Sequence, residues 1–127
     1  MISSHRFLVQ LATDRWRAVD LADVYLVEAS GDDCAVRLRP KDALVDLRRL
    51  ADLEKLLAPL GFVRIHRSYL VNPARVMELR RRERSRGWEV VMEPPVNRVL
   101  PVAEGKVERV REGISPTAAS QGQATRS

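Results

Sequence analysis

The sequence predicts a mainly β fold of about ten short strands in small packed sheets, with one amphipathic helix and a short C-terminal helix. Two observations carry this. Short runs of apolar residues, several alternating with polar ones, are interrupted throughout by Gly, Pro, Asp or Asn. Only one stretch, Leu47 to Leu60, repeats its leucines at spacings of three and four. With 127 residues, a single domain is the simplest organisation, because two halves would each have a core too small to stand alone.

Taken in order, Arg6 to Ala12 and Trp16 to Val19 are apolar runs separated by Thr13-Asp14-Arg15, the pattern of a hairpin. Val24 to Ala29 follows as a third strand, with Tyr25 and Val27 on one face and Val24 and Leu26 on the other. Ser30-Gly31-Asp32-Asp33 has tight-turn residues. Cys34 to Arg39 then sets Ala35, Arg37 and Arg39 opposite Val36 and Leu38. After Pro40-Lys41-Asp42 comes a strand at Ala43 to Asp46. The leucines at 47, 50, 53, 56, 57 and 60 make an apolar helical stripe, with Asp46 as its N-cap and Gly61 beyond its last turn. Such a stripe packs a core far more often than it binds a partner.

Beyond Gly61 the strand pattern returns at Val63–Ile65, Tyr69–Val71, Val76–Leu79, Trp88–Met92 and Val96–Val102. Arg80 to Gly87 is the expected hairpin loop, Pro94 to Asn97 a further turn, and Ala103 to Glu112 the short terminal helix. The folded domain is expected over residues 6–112. Residues 1–5 and 113–127 carry too few apolar anchors and are expected to be disordered.

Several function classes fall away. A lone cysteine, Cys34, leaves no intrachain disulfide and no thiolate metal cluster, and Asp32 and Asp33 beside it disfavour a reactive thiolate. His5 and His66 have no metal-ligand spacing, and the six glycines form no phosphate loop. No enzyme, metal or cofactor chemistry is therefore expected. Neither a signal peptide nor a run of roughly 18 apolar residues is present, so the expectation is a cytoplasmic protein without a membrane span.

Charge is the sharper clue. Phe62 to Arg86 holds eight arginines and two glutamates, a net +6, while the remaining residues hold fourteen basic and fifteen acidic ones, a net −1. So local an excess suits a polyanion, and arginine suits phosphates and bases. Within Arg64-Ile65-His66-Arg67-Ser68, strand alternation sends Ile65 inward and Arg64 and His66 outward. Arg67 and Ser68 are the groups expected on base edges and phosphates. A strand edge of solvated charges is the plainer alternative, and His66 is equally well explained as a buried, hydrogen-bonded imidazole. Asn72 before Pro73 reads as a turn residue bonding local backbone. The run Arg80 to Arg86, which includes Arg82, would add phosphate contacts and salt dependence rather than sequence choice.

Phe62-Val63-Arg64-Ile65-His66-Arg67-Ser68-Tyr69-Leu70-Val71-Asn72 closely resembles the signature of the LytTR family of bacterial DNA-binding domains. The resemblance extends over roughly Phe7 to Ile114. It includes Ala22 to Ala29, the helix from Asp46-Leu47 to Leu57, and Leu100-Pro101-Val102. It implies a mainly β domain that lies along double-stranded DNA, with loops in successive major grooves at promoter direct repeats, as the output domain of a response regulator or other transcriptional regulator. It further implies a base contact from Arg67, phosphate contacts from Ser68 and Arg64, a second groove-facing loop at Gly31–Cys34, which contains Asp33, and a third just after Val102. No receiver or sensor is legible beside it, so a stand-alone regulator or isolated output domain is expected, with a homodimer on adjacent repeats as a possible arrangement.

The sequence departs from the family where Ser-Arg commonly follows the closing strand: here stand Ala103 and Glu104, with Lys106 two residues on. Glutamate near phosphate exchanges attraction for repulsion, unless Glu104 accepts from a cytosine amino group. The alternative to a DNA reader is a LytTR-like protein-interaction module, or a modulator with weakened DNA binding, for which Asp32, Asp33 and Glu104 speak.

Overall fold

The computed structural model describes residues 5–114, so the expectations for residues 1–4 and 115–127 lie outside the described residues. Among the described residues ten strands and two α-helices form, as the sequence predicts. Strands β1 (Arg6–Ala12) and β2 (Arg15–Asp20) make a two-stranded hairpin. Strands β3 (Leu26–Ser30), β4 (Asp33–Arg39), β5 (Asp42–Asp46), β6 (Val63–His66) and β7 (Tyr69–Val71) make a five-stranded sheet in the order β5-β4-β3-β7-β6. Strands β8 (Val76–Arg81), β9 (Trp88–Met92) and β10 (Val99–Val102) make a third sheet, and every pairing is antiparallel. Helix α1 spans Leu50–Leu57 and α2 spans Val107–Ile114.

The centre of the five-stranded sheet is buried on both faces, which explains its apolar composition, while the edge strand β5 is largely exposed. Val27, Cys34, Val36 and Leu70 point to one side, against Phe7 and Val9 of β1 and against Leu50, Leu53 and Leu57 of α1. Leu26, Ile65 and Val71 point to the other side, against Val90, Met92 and Leu100 of the third sheet and Val110 of α2. Period-two alternation thus divides one strand between two cores. Each fully buried leucine contributes about 2 kcal/mol of transfer free energy, so both layers are firmly held.

The leucine stripe needs revision. Only Leu50, Leu53 and Leu57 are buried, whereas Leu47, Leu56 and Leu60 lie at the surface. The helix starts three residues later than expected, with Arg49 in the N-cap position and no side-chain cap. Asp46 cannot cap it because its carboxylate turns inward, fully buried, onto the Arg48 guanidinium at 2.8 Å. Gly61 closes the last turn at φ 106°, the left-handed conformation expected of it.

The third strand also begins later. Leu21–Asp23 is a 3-10 turn, pinned by the Asn72 side chain, which donates to the carbonyls of Leu21 and Val24 at 3.1 and 3.0 Å. Alternation therefore starts at Leu26, and Tyr25 joins Leu26 in the second core while Val24 joins Val27 in the first. At the other end α2 runs through Gly113 and Ile114, two residues past the expected limit of the domain.

Candidate nucleic-acid interface

Register decides which loops are neighbours. β3 and β4 are joined by the two-residue turn Gly31-Asp32, with Gly31 at φ 65° and no positive φ at Asp32, the pattern of a type II′ hairpin turn. β6 and β7 are joined at Arg67-Ser68. Glu28 of β3 stands opposite Tyr69 of β7, and the Ala29 amide donates to the Ser68 carbonyl at 2.9 Å. These two turns therefore lie side by side. On the other flank of the Arg67 turn, the Ala103 amide donates to the Ile65 carbonyl at 2.7 Å. Trp88 pairs with both Arg81 and Val102, which sets the β8–β9 tip, residues 82–87, beside Ala103 to Gly105. Four loops meet at one end of the molecule.

The arginines of the basic window are not equivalent. Arg75 is half-buried and engaged: it donates to the Ala22 carbonyl at 2.8 Å, pairs with Glu93 at 3.5 Å and lies over the Tyr25 ring. Arg80 is matched by Glu89 at 2.9 Å and Glu78 at 3.6 Å, and Arg81 stacks on Trp88. Arg82 is exposed and lies 3.8 Å from the half-buried Glu89, a loose pair. Arg67, Arg84 and Arg86 are exposed and have no ion pair among the described residues. Within the basic window, the exposed arginines without an ion pair thus lie on the Arg67 turn and the β8–β9 tip. Between that tip and the loop after β10 runs a groove of about 480 Å³, lined by Arg82, Arg86, Trp88, Val102 and Glu104 among others.

Ser68 and His66 are half-buried; the Ser68 amide donates to His66 Nδ1 at 3.1 Å, and the imidazole lies against Tyr69. Arg64, expected to point outward, is instead largely covered, and it bonds to Glu54 of α1 and to the carbonyls of His66 and Arg67. The register slip between Arg64 and His66 in the β6–β7 pairing breaks the simple alternation there. Asp33 is half-buried as the first residue of β4, which leaves the exposed Asp32 as the acidic group of that turn. Glu104 is exposed and Lys106 half-buried, both in the loop leading into α2.

Cys34 requires a correction. It is fully buried in the first core, facing Val36 and α1, and no duplex reaches it. Burial, with Asp46 and Asp33 nearby, pushes its thiol up to about 11. The signal was present in the sequence, since Cys34, Val36 and Leu38 share one face of β4. Two partners were missed. Glu54 supports Arg64 from ten residues upstream, and Arg98 forms a two-pronged pair with Glu28 at 3.2 Å that ties the third sheet to the second. No local pattern marks either.

The LytTr DNA-binding domain family matches residues 14–115. The chain belongs to this family. The CO-responsive transcriptional regulator RcoM of Rhodospirillum rubrum is 37% identical over 93 residues, which is 73% of this chain but 38% of that protein. The chain therefore spans well under half of that relative's length. The solved LytTr DNA-binding domain from Bacillus cereus superimposes with a TM-score of 0.67 at 22% identity, covering 88% of this chain and 97% of that one. That likeness concerns the fold, and the mainly β LytTR fold is the one observed. Among the described residues of this LytTR domain, no helix is long and apolar enough to cross a membrane, and no three His, Cys, Asp or Glu residues gather to hold a metal.

Proposed function

We propose that this LytTR domain binds double-stranded DNA sequence-specifically, as the DNA-contacting part of a bacterial transcriptional regulator acting in the cytoplasm. The observation that carries this reading is the meeting of four loops at one end, where Arg67, Arg84 and Arg86 are exposed and unmatched by acids among the described residues. Arg67, beside Ser68 and His66, is the base reader, through the bidentate geometry arginine offers to guanine. Arg82, Arg84 and Arg86 give phosphate contacts and hence affinity. The turn at Gly31-Asp32 and the loop at Glu104–Lys106 flank the reader and enter the groove on either side of it. Promoter direct repeats occupied by two copies would match the one-ended site, and the reading involves no catalysis, metal or small-molecule cofactor. A transcriptional regulator among the relatives supports it.

A protein-interaction role is the second reading. It is favoured by Asp32 and Glu104, both exposed among the reading loops. Selection from randomised duplex DNA, followed by titration of the winners across salt, separates the two. An enriched repeat bound more weakly as salt rises supports the regulator. Salt-sensitive binding without enrichment leaves a basic patch and no readout. No binding at low salt favours the protein partner.

A further inference from the structure

Arg64 occupies a position no exposed DNA contact would. Its side chain is 18% exposed, and its three nitrogens face three different acceptors. Nε donates to the His66 carbonyl at 2.8 Å, Nη2 to the Arg67 carbonyl at 2.7 Å, and Nη1 to Glu54 Oε1 on α1. The Ser68 amide, the next polar group of the same turn, is taken up by His66 Nδ1. The turn that carries Arg67 is thus held from inside by side chains, its carbonyls by a cation and an amide by an imidazole. It contains no glycine, and among the described residues its conformation is tied to a helix of the core through a single ion pair.

We propose that Arg64, anchored by Glu54, is a positioning residue that sets the Arg67-Ser68 turn in its DNA-reading conformation. The proposal rests on the DNA-binding reading above and adds a mechanism to it. Only arginine performs this task, because its planar fork spans separate acceptors, whereas the lysine ammonium is a single point. A direct phosphate contact, which the family resemblance implies, predicts otherwise. Lysine would then substitute well, and alanine would lower the salt slope by about 0.9, the share of one phosphate.

The test uses Arg64→Lys and Glu54→Ala in the full chain. Two quantities are followed: amide exchange at Arg67 and Ser68 without DNA, and affinity across salt for a duplex enriched by selection and for its scrambled counterpart. Both variants are expected to exchange faster at the turn and to lose about tenfold of the cognate preference, the worth of one charge-assisted hydrogen bond, with an unchanged salt slope. Glu54→Ala decides most sharply. Removing an acid strengthens DNA binding if only charge matters, yet it must weaken cognate binding if Glu54 holds Arg64 in place. Alanine is also the best helix former, so this variant keeps α1. Unchanged exchange at the turn in both variants overturns the proposal, as does an unaltered preference in Glu54→Ala or full rescue by Arg64→Lys. If the parent shows no preference between the duplexes, the DNA-binding reading fails with its reading turn. Exchange at Arg67 and Ser68 then still decides, by itself, whether the Arg64 clamp exists.

Discussion

The amide of Gln10 donates to the carboxylate of Asp46, thirty-six residues away, at 3.1 Å. The same carboxylate accepts from the Arg48 amide and side chain, and Arg48 in turn lies over the rings of Phe7 and Trp16 and donates to the Leu8 carbonyl. A residue that local pattern assigns to a helix cap is therefore the joint between the first hairpin and the edge of the five-stranded sheet. A fully buried acid is tolerated because every donor around it is aimed at it.

That joint makes stability depend on pH. Burial pushes the Asp46 carboxyl up, but the hydrogen bonds from Arg48 and Gln10 outweigh it and hold the group below its ordinary 3.8. The folded state thus favours the ionised acid. Its contribution is complete well above pH 3.8 and is lost as the pH falls below that value. Asp46→Asn should cost about 2 kcal/mol at pH 7 and flatten the acid limb of the stability curve. Urea unfolding of both proteins between pH 7 and pH 3 measures this, and parallel curves would remove Asp46 from the account.

Arg67→Ala should reduce discrimination between the enriched duplex and its scrambled form by about 1–3 kcal/mol, the worth of a bidentate base contact. Fold stability should stay within about 0.5 kcal/mol, because the side chain is exposed. Fluorescence titrations at fixed salt provide the ratio. An identical ratio in variant and parent would assign base reading elsewhere.

Glu104→Gln removes a negative charge from the groove it shares with Arg82 and Arg86. Sequence-independent affinity should rise severalfold at low salt and converge with the parent as salt screens the site. Weaker binding to the enriched duplex alone would instead show Glu104 accepting from a base.

Gly113→Ala looks favourable on helix propensity, where alanine exceeds glycine by about 1 kcal/mol. The structure reverses the sign. A Cβ at this position would lie 2.5 Å from a Val63 methyl carbon, well inside van der Waals contact. We expect a net loss of about 1–2 kcal/mol from overpacking, recovered when Val63→Ala is added. Thermal melts of the single and double variants test the coupling.

Strand number, the presence of both helices and the family were legible because period, turn residues and a dense motif are local signals. Leu50, Leu53 and Leu57 announced the buried face of α1 in the same way. What escaped depends on residues far apart in sequence. Asp46 reads as a cap until Gln10 is seen to claim it, and Arg64 reads as a surface charge until Glu54 is brought beside it. The gathering of four loops follows from registers such as Glu28 opposite Tyr69 and Trp88 opposite Val102, which no single strand reveals. For Cys34 the alternation of β4 points inward, whereas the family resemblance places it on a groove-facing loop, and the burial of the thiol agrees with the alternation.

β6 is the outermost strand of its sheet, and an outermost strand offers bare backbone to any passing chain. Here the Ile65 carbonyl is covered by Ala103, at the start of the loop that also carries Glu104. The segment proposed to touch a duplex therefore doubles as a seal on the sheet. Truncations or loop grafts that pull it away, made to alter DNA choice, would uncover a sticky edge and turn a change of specificity into a problem of self-association.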